Sequence, residues 1–171
     1  MRRATSVPRP EPAAVRSARH HELIGHTADS GISASGPDLP ALFEEAAAAL
    51  AESSAIVAPG VTASTVEDVS VDGDDLEHLA FAWLNELIGL SEIRGGAIVA
   101  VEVERVTGPD AAGVPGASRR PGQWKLGGRV WFCSLGTAGV QPVGHVKAAT
   151  YHGLRVERLA GAWTLRAYLD V

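Results

Sequence analysis

DDLEHLAFAWLNELIGL, residues 74–90, is the stretch on which the reading of the fold turns. Leu76, Leu79, Ala80, Trp83, Leu84, Leu87 and Ile88 recur at steps of three and four residues, which commits one face of a helix to a core. Asp74 followed by Glu77 resembles a capping box, so the helix is expected to begin there. The apolar stripe is read as packing and not as a cofactor pocket.

Upstream, LPALFEEAAAALAES (39–53) predicts a second helix. Asp38 is placed to cap it, Pro40 falls in its first turn, and Leu42, Phe43, Ala46, Ala49 and Leu50 share a face. The remaining patterned segments read as strands. HELIG (21–25) and GISAS (31–35) flank an HTAD turn, and STVEDVSVD (64–72) and AIVAVEVERV (97–106) each carry spaced valines. KLGGRVWFCSL (125–135) follows, GTAGVQPVG (136–144) interrupts, and two or three strands close the chain. In the last of these, Trp163, Leu165, Ala167, Leu169 and Val171 alternate with Thr164, Arg166, Tyr168 and Asp170, so Asp170 points away from the core. Two helices not strictly alternating with about seven strands predict an α+β fold. The expectation is a single compact domain with its two main helices packed on mixed or antiparallel sheet.

The 171 residues suffice for one domain that buries roughly two-thirds of its unfolded surface without disulfide or structural metal. Net charge is −5 and uneven: five arginines against Glu11 give the segment before residue 20 a charge of +4, which leaves an acidic remainder. An acidic body argues against holding nucleic acid by bulk electrostatics and favours cations or a basic partner surface. Residues 1–19, with Pro, Arg and Ala but no apolar period, are expected to form a disordered basic extension, and residues 20–171 the folded domain. The Gly/Pro/Ser-rich stretch at about 107–122 is expected to be a flexible loop. Cys133, the single cysteine, sits in RVWFC and reads as a buried inert thiol, in keeping with a reducing cytosol. No signal-peptide core and no apolar run of membrane-spanning length is present, so a cytoplasmic protein is expected.

Several residues bear on chemistry. His26 and Asp29 in HTAD fit a metal pair, an acid–base dyad or an Asx-capped turn. A zinc site would draw on His26, His145 and His152, which lack close ligand spacing. A hard-cation site would use the oxygens of Asp29, Asp170 and the terminal carboxylate, and the acidic body favours this version. In VKAATYHG, alternation sets Lys147 on one face with Ala149 and Tyr151, where it would pair with a carboxylate, hold a phosphate or remain solvated. Glu86 borders the apolar stripe and is solvated by default. No phosphate-loop, dinucleotide, nucleophile-elbow or HExxH motif occurs.

Taken in order, HTAD (26–29), LFEEAAAAL (42–50), DLEHLAFAWLNELIGL (75–90), VKAATYHGL (146–154) and a terminal DV closely resemble the archease family, over roughly residues 20–171. The resemblance implies a small cytosolic α+β protein that serves an RtcB-type RNA-splicing ligase without being an enzyme itself. Such a cofactor protein speeds GTP-dependent guanylylation of the ligase and supports multiple turnovers, so RNA is met through the ligase. It further implies a cation site formed by Asp29, Asp170 and Val171, with calcium foremost and magnesium or manganese as alternatives. Lys147 and, less directly, Glu86 are carried over as functional residues. Ser30 stands where the family has an apolar residue, and Arg129 and His145 stand where acids are common. Rival expectations are a metal-dependent phosphohydrolase using Asp29, Asp170 and His26, or a chaperone-like interaction module with a structural cation.

Overall fold

The computed structural model describes residues 19–25, 30–109 and 124–171. The extension before Arg19, the HTAD turn with His26 and Asp29, and residues 110–123 of the Gly/Pro loop lie outside the described residues.

Helix formation follows the expected signals with one displacement. Helix α1 (Leu39–Ser54) is capped by Asp38, whose side chain accepts from the Ala41 N–H at 2.8 Å. Helix α2 (Leu76–Arg94) is capped by Asp75, which accepts from the His78 N–H at 2.8 Å, and not by Asp74. Asp75 holds an extended backbone and Leu76 begins the helix, so a capping box starting at Asp74 is one residue out of register. Glu77 is thereby released to accept from the Val156 N–H at 3.4 Å, which ties the first turn of α2 to a strand. Gly95 ends α2 in the left-handed conformation (φ 55°) that glycine takes without strain.

Among the described residues nine strands accompany the helices: β1 (His20–Gly25), β2 (Ser30–Gly36), β3 (Ala55–Val57), β4 (Thr65–Gly73), β5 (Gly96–Thr107), β6 (Trp124–Ser134), β7 (Val140–Pro142), β8 (Ala148–Leu159) and β9 (Ala162–Asp170). They form a four-stranded sheet in the order β1-β2-β9-β8, a three-stranded sheet in the order β4-β6-β5, and a β3-β7 pair. Every pairing is antiparallel. Both helices touch both larger sheets: α1 packs on β2 and β5, α2 on β8 and β4. The inward residues of the two sheets and the apolar residues of both helices therefore share one core, centred on Phe43, Trp83, Leu84, Phe132 and Leu165. The Trp83 indole N–H donates to the Phe43 carbonyl at 3.2 Å, so a fully buried tryptophan also joins the helices.

Cys133 is buried with Ala55 and Ala97 in a smaller cluster under the β3-β7 pair, and burial pushes its thiol pKa up, as expected of an inert cysteine. Ala160 (φ 50°) and Gly161 (φ 87°) make the tight turn between β8 and β9, a geometry matched to the twist of a two-residue hairpin.

The edge strand β1 is fastened to α1 by charge. Arg19 pairs with Glu44, and the His21 ring lies between Glu45 (Nδ1 to Oε2, 2.7 Å) and Glu52 (Nε2 to Oε1, 3.2 Å), two turns apart on the helix. Burial alone would lower the His21 pKa, but hydrogen bonds and charge from both glutamates outweigh it and hold the pKa above 6.5. A raised folded-state pKa contributes stability that is complete below the unfolded value and lost as pH rises through the folded one. The parent is thus expected to exceed His21→Gln in urea stability by up to about 1 kcal/mol near pH 5.5, and by less near pH 9. A difference that grows with pH would contradict the ion pair.

Candidate functional site

The four-stranded sheet gathers the candidate residues at one end. Ser30 opens β2 opposite Leu169, and Ala148 opens β8 opposite Asp170. Lys147, one residue before β8, donates its backbone N–H to the Asp170 carbonyl at 2.8 Å. Its Nζ donates to the Val171 carbonyl oxygen at 2.9 Å. Lys147, Asp170 and Val171 are all exposed, while Leu169 and Ala149 beside them are buried. The Asp170 side chain makes no ion pair among the described residues.

An ammonium, a free carboxylate and a chain-end carbonyl at the rim of a rigid sheet form an oxygen-rich corner with one positive charge already in place. Such oxygens suit a hard cation, and the lysine suits a phosphate oxygen. Two hard oxygen donors are fewer than a cation of this class requires, so further ligands must come from elsewhere. Among the described residues no group of three or more His, Cys, Asp or Glu side chains is assembled for a metal. Asp29, the third expected ligand residue, precedes Ser30 in the chain and lies outside the described residues.

Lys147 does not share a face with Ala149 and Tyr151, contrary to the alternation. It precedes the strand and faces solvent, Ala149 is buried against α2, and Tyr151 is 54 % exposed with its ring stacked on Phe81 at 4.0 Å. The register shift between Thr150 and Arg155 accounts for Tyr151, because residues 151–154 bulge out of the β8–β9 ladder, whereas Lys147 is exposed one residue before the strand begins. Glu86 is exposed on α2 and makes no hydrogen bond or ion pair with Lys147, Asp170 or Val171.

Its neighbour Asn85 is the residue that the sequence left unmarked. Its Nδ2 donates to the Ala149 carbonyl and its Oδ1 accepts from the Ala149 N–H, both at 3.1 Å, and Nδ2 also donates to Phe81 O at 2.9 Å. One side chain thus stands in for a missing strand along the free edge of β8, two residues from Lys147.

Of the expected zinc histidines, His26 lies outside the described residues, and His145 and His152 have different surroundings. His145 lines an apolar cavity of about 250 Å³ between the C-terminal ends of α1 and α2, and His152 packs near Tyr168 at 6.0 Å. Arg129 lies on the three-stranded sheet, paired with Glu102 (2.9 Å) and Glu104 (3.0 Å) and placed over the Trp131 ring. Its charge is spent within that sheet.

The described residues thus form a two-helix α+β domain with Lys147 and Asp170 exposed beside Val171. Residues 21–171 match the model of the archease protein family (MTH1598/TM1083), and the chain belongs to that family. A protein archease of Pyrococcus furiosus is 32% identical over 155 residues, covering 90% of this chain and 99% of that protein. A protein archease of Pyrococcus abyssi is 31% identical, covering 89% and 96%. Among solved structures, the solution structure of Methanobacterium thermoautotrophicum protein 1598 superposes with a TM-score of 0.66 at 25% identity, covering 88% of this chain and 98% of that one. Among the described residues no helix is long and apolar enough to cross a membrane.

Proposed function

We propose that this chain is a protein cofactor of an RtcB-type RNA-splicing ligase, promoting GTP-dependent guanylylation of the ligase and its multiple turnover. In this reading Asp29, Asp170 and Val171 hold a divalent cation, calcium foremost and magnesium or manganese as alternatives. Lys147 carries the positive charge that meets phosphate, and Glu86 is a further contact. Bound there, a cation offsets negative charge on a triphosphate. The chain's own contribution is a fixed frame for that charge: β9 presents the Asp170 carboxylate outward, and Lys147 is held on the Val171 oxygen by the β8–β9 ladder.

The observation that carries the proposal is the register. Ser30, directly after Asp29 in the chain, pairs with Leu169, directly before Asp170, and this register supports the reading that the two aspartates share one ion. The experiment is guanylylation of the cognate ligase with and without the protein, alongside Asp29→Ala. Acceleration by the parent and its loss in the variant support the reading. No acceleration, or full acceleration by Asp29→Ala, counts against it, and turnover of a phosphate ester by the isolated protein would favour a hydrolase instead.

A further inference from the structure

Arg155 and Arg166 are direct partners across β8 and β9, and both are exposed on the solvent face of the four-stranded sheet. Like charges directly opposite in an antiparallel pair repel and destabilise it. Neither arginine has a hydrogen bond, ion pair or ring contact among the described residues. Among the described residues the other charged or titratable groups on the strands of this face are His20 and Glu22 of β1, which lie 4.0 Å apart, and Glu157 and Asp170, each two to four residues along a strand. None of them closes an ion pair with either arginine. This contrasts with Arg129 on the other sheet, which two glutamates neutralise.

One step along β9 on the same face lies Tyr168, between Gly31 of β2 and the bulge of β8. A Cβ on Gly153 would come within 2.6 Å of the Tyr168 ring, and one on Gly31 within 3.3 Å. Glycine at both places therefore lets the ring lie down on the sheet. Gly153 also holds a left-handed backbone (φ 64°), which places His152 beside the ring at a centroid distance of 6.0 Å. The face thus offers twin guanidiniums and, about 7 Å along the strand, a partly exposed aromatic pair.

The geometry points to a binding surface for single-stranded nucleic acid, with a phosphate held between Arg155 and Arg166 and its base stacked on Tyr168 beside His152. Two planar guanidiniums directed at one anion match phosphate and turn their mutual repulsion into attraction. An aromatic face takes any base, which gives binding without sequence readout. The neighbouring glutamates and the acidic body keep such binding weak and sensitive to salt. This inference concerns direct contact with the nucleic acid and does not depend on the ligase reading, since its test contains no ligase.

The test is fluorescence anisotropy of a labelled oligouridylate of about 12 nucleotides with the full chain, at several salt concentrations. The parent is expected to bind at micromolar concentration. Arg155→Gln/Arg166→Gln is expected to bind about tenfold more weakly or worse, with the slope of log K against log salt reduced in magnitude by about 0.7, the share of the one phosphate held between them. Tyr168→Ala is expected to lose about fivefold with the slope unchanged. The double arginine variant should melt no lower than the parent, because the change relieves a repulsion. Three results would overturn the assignment: no binding by the parent, a double variant that binds with the parent's affinity and slope (which moves the site to the basic residues before 20), or equal occupancy by free UMP.

Discussion

Asp170→Asn is expected to weaken calcium binding a few hundred-fold, and Lys147→Gln to strengthen it about tenfold. The first change keeps an oxygen in place and removes only its charge. A unit charge against a divalent ion at about 2.4 Å contributes roughly 3 kcal/mol even at the dielectric constant of water. The second sign is less intuitive, because lysine is counted among the functional residues. Its Nζ lies 2.9 Å from the Val171 oxygen, so a cation on that oxygen sits within about 5 Å of the ammonium. Repulsion at that separation is roughly 1.5 kcal/mol in water, which a neutral glutamine removes. Swinging the lysine away reduces the effect without reversing it. Titration calorimetry of calcium into the three proteins measures both. Lys147→Gln should tighten the ion while reducing ligase activation, a split that a merely structural lysine would not produce. Equal affinities in parent and Asp170→Asn would remove Asp170 from the cation site.

That corner shows what this sequence discloses and what it withholds. Period-3.6 and period-2 patterns made α1, α2 and β9 legible, and Asp38 and the outward Asp170 stand where those patterns put them. Strands β3 and β7 are three residues each, too short for alternation to register, and they surfaced only through their pairing across the fold. Two adjacent aspartates gave no local means of telling which one caps α2. The bulge after Thr150 defeated alternation because it depends on the β9 partner, on which Thr150 pairs with Tyr168 and Arg155 with Arg166. Proximity of Lys147 to Val171 is likewise a matter of register between strands, so spacing alone could not reveal it. The resemblance supplied those residues, and the register brings them together. Asn85 was missed because an amide next to an apolar stripe reads as solvent-facing, whereas here it meets backbone.

For that amide, Asn85→Ala is expected to cost about 2–4 kcal/mol, or roughly 5–15 °C in melting temperature. The loss exceeds that of an ordinary surface change because the truncation strands two partners. Ala149 is 3 % exposed, and its N–H and C=O lie on the free edge of β8 with no neighbouring strand to take them. Asn85→Asp separates shape from donor chemistry. Its carboxylate still accepts from the Ala149 N–H but turns a negative oxygen toward the carbonyls of Ala149 and Phe81, so it should destabilise as much as alanine or more. Glu86→Ala, one residue along and exposed, should stay within about 0.5 kcal/mol of the parent. Urea unfolding of the three variants decides the matter, and parity between Asn85→Ala and Glu86→Ala would show that water takes over the edge of β8. If the amide matters as argued, the consequence reaches the corner: Asn85 holds Ala149 two residues from Lys147, so Asn85→Ala should also reduce the increase in calcium affinity that Lys147→Gln produces in the parent background.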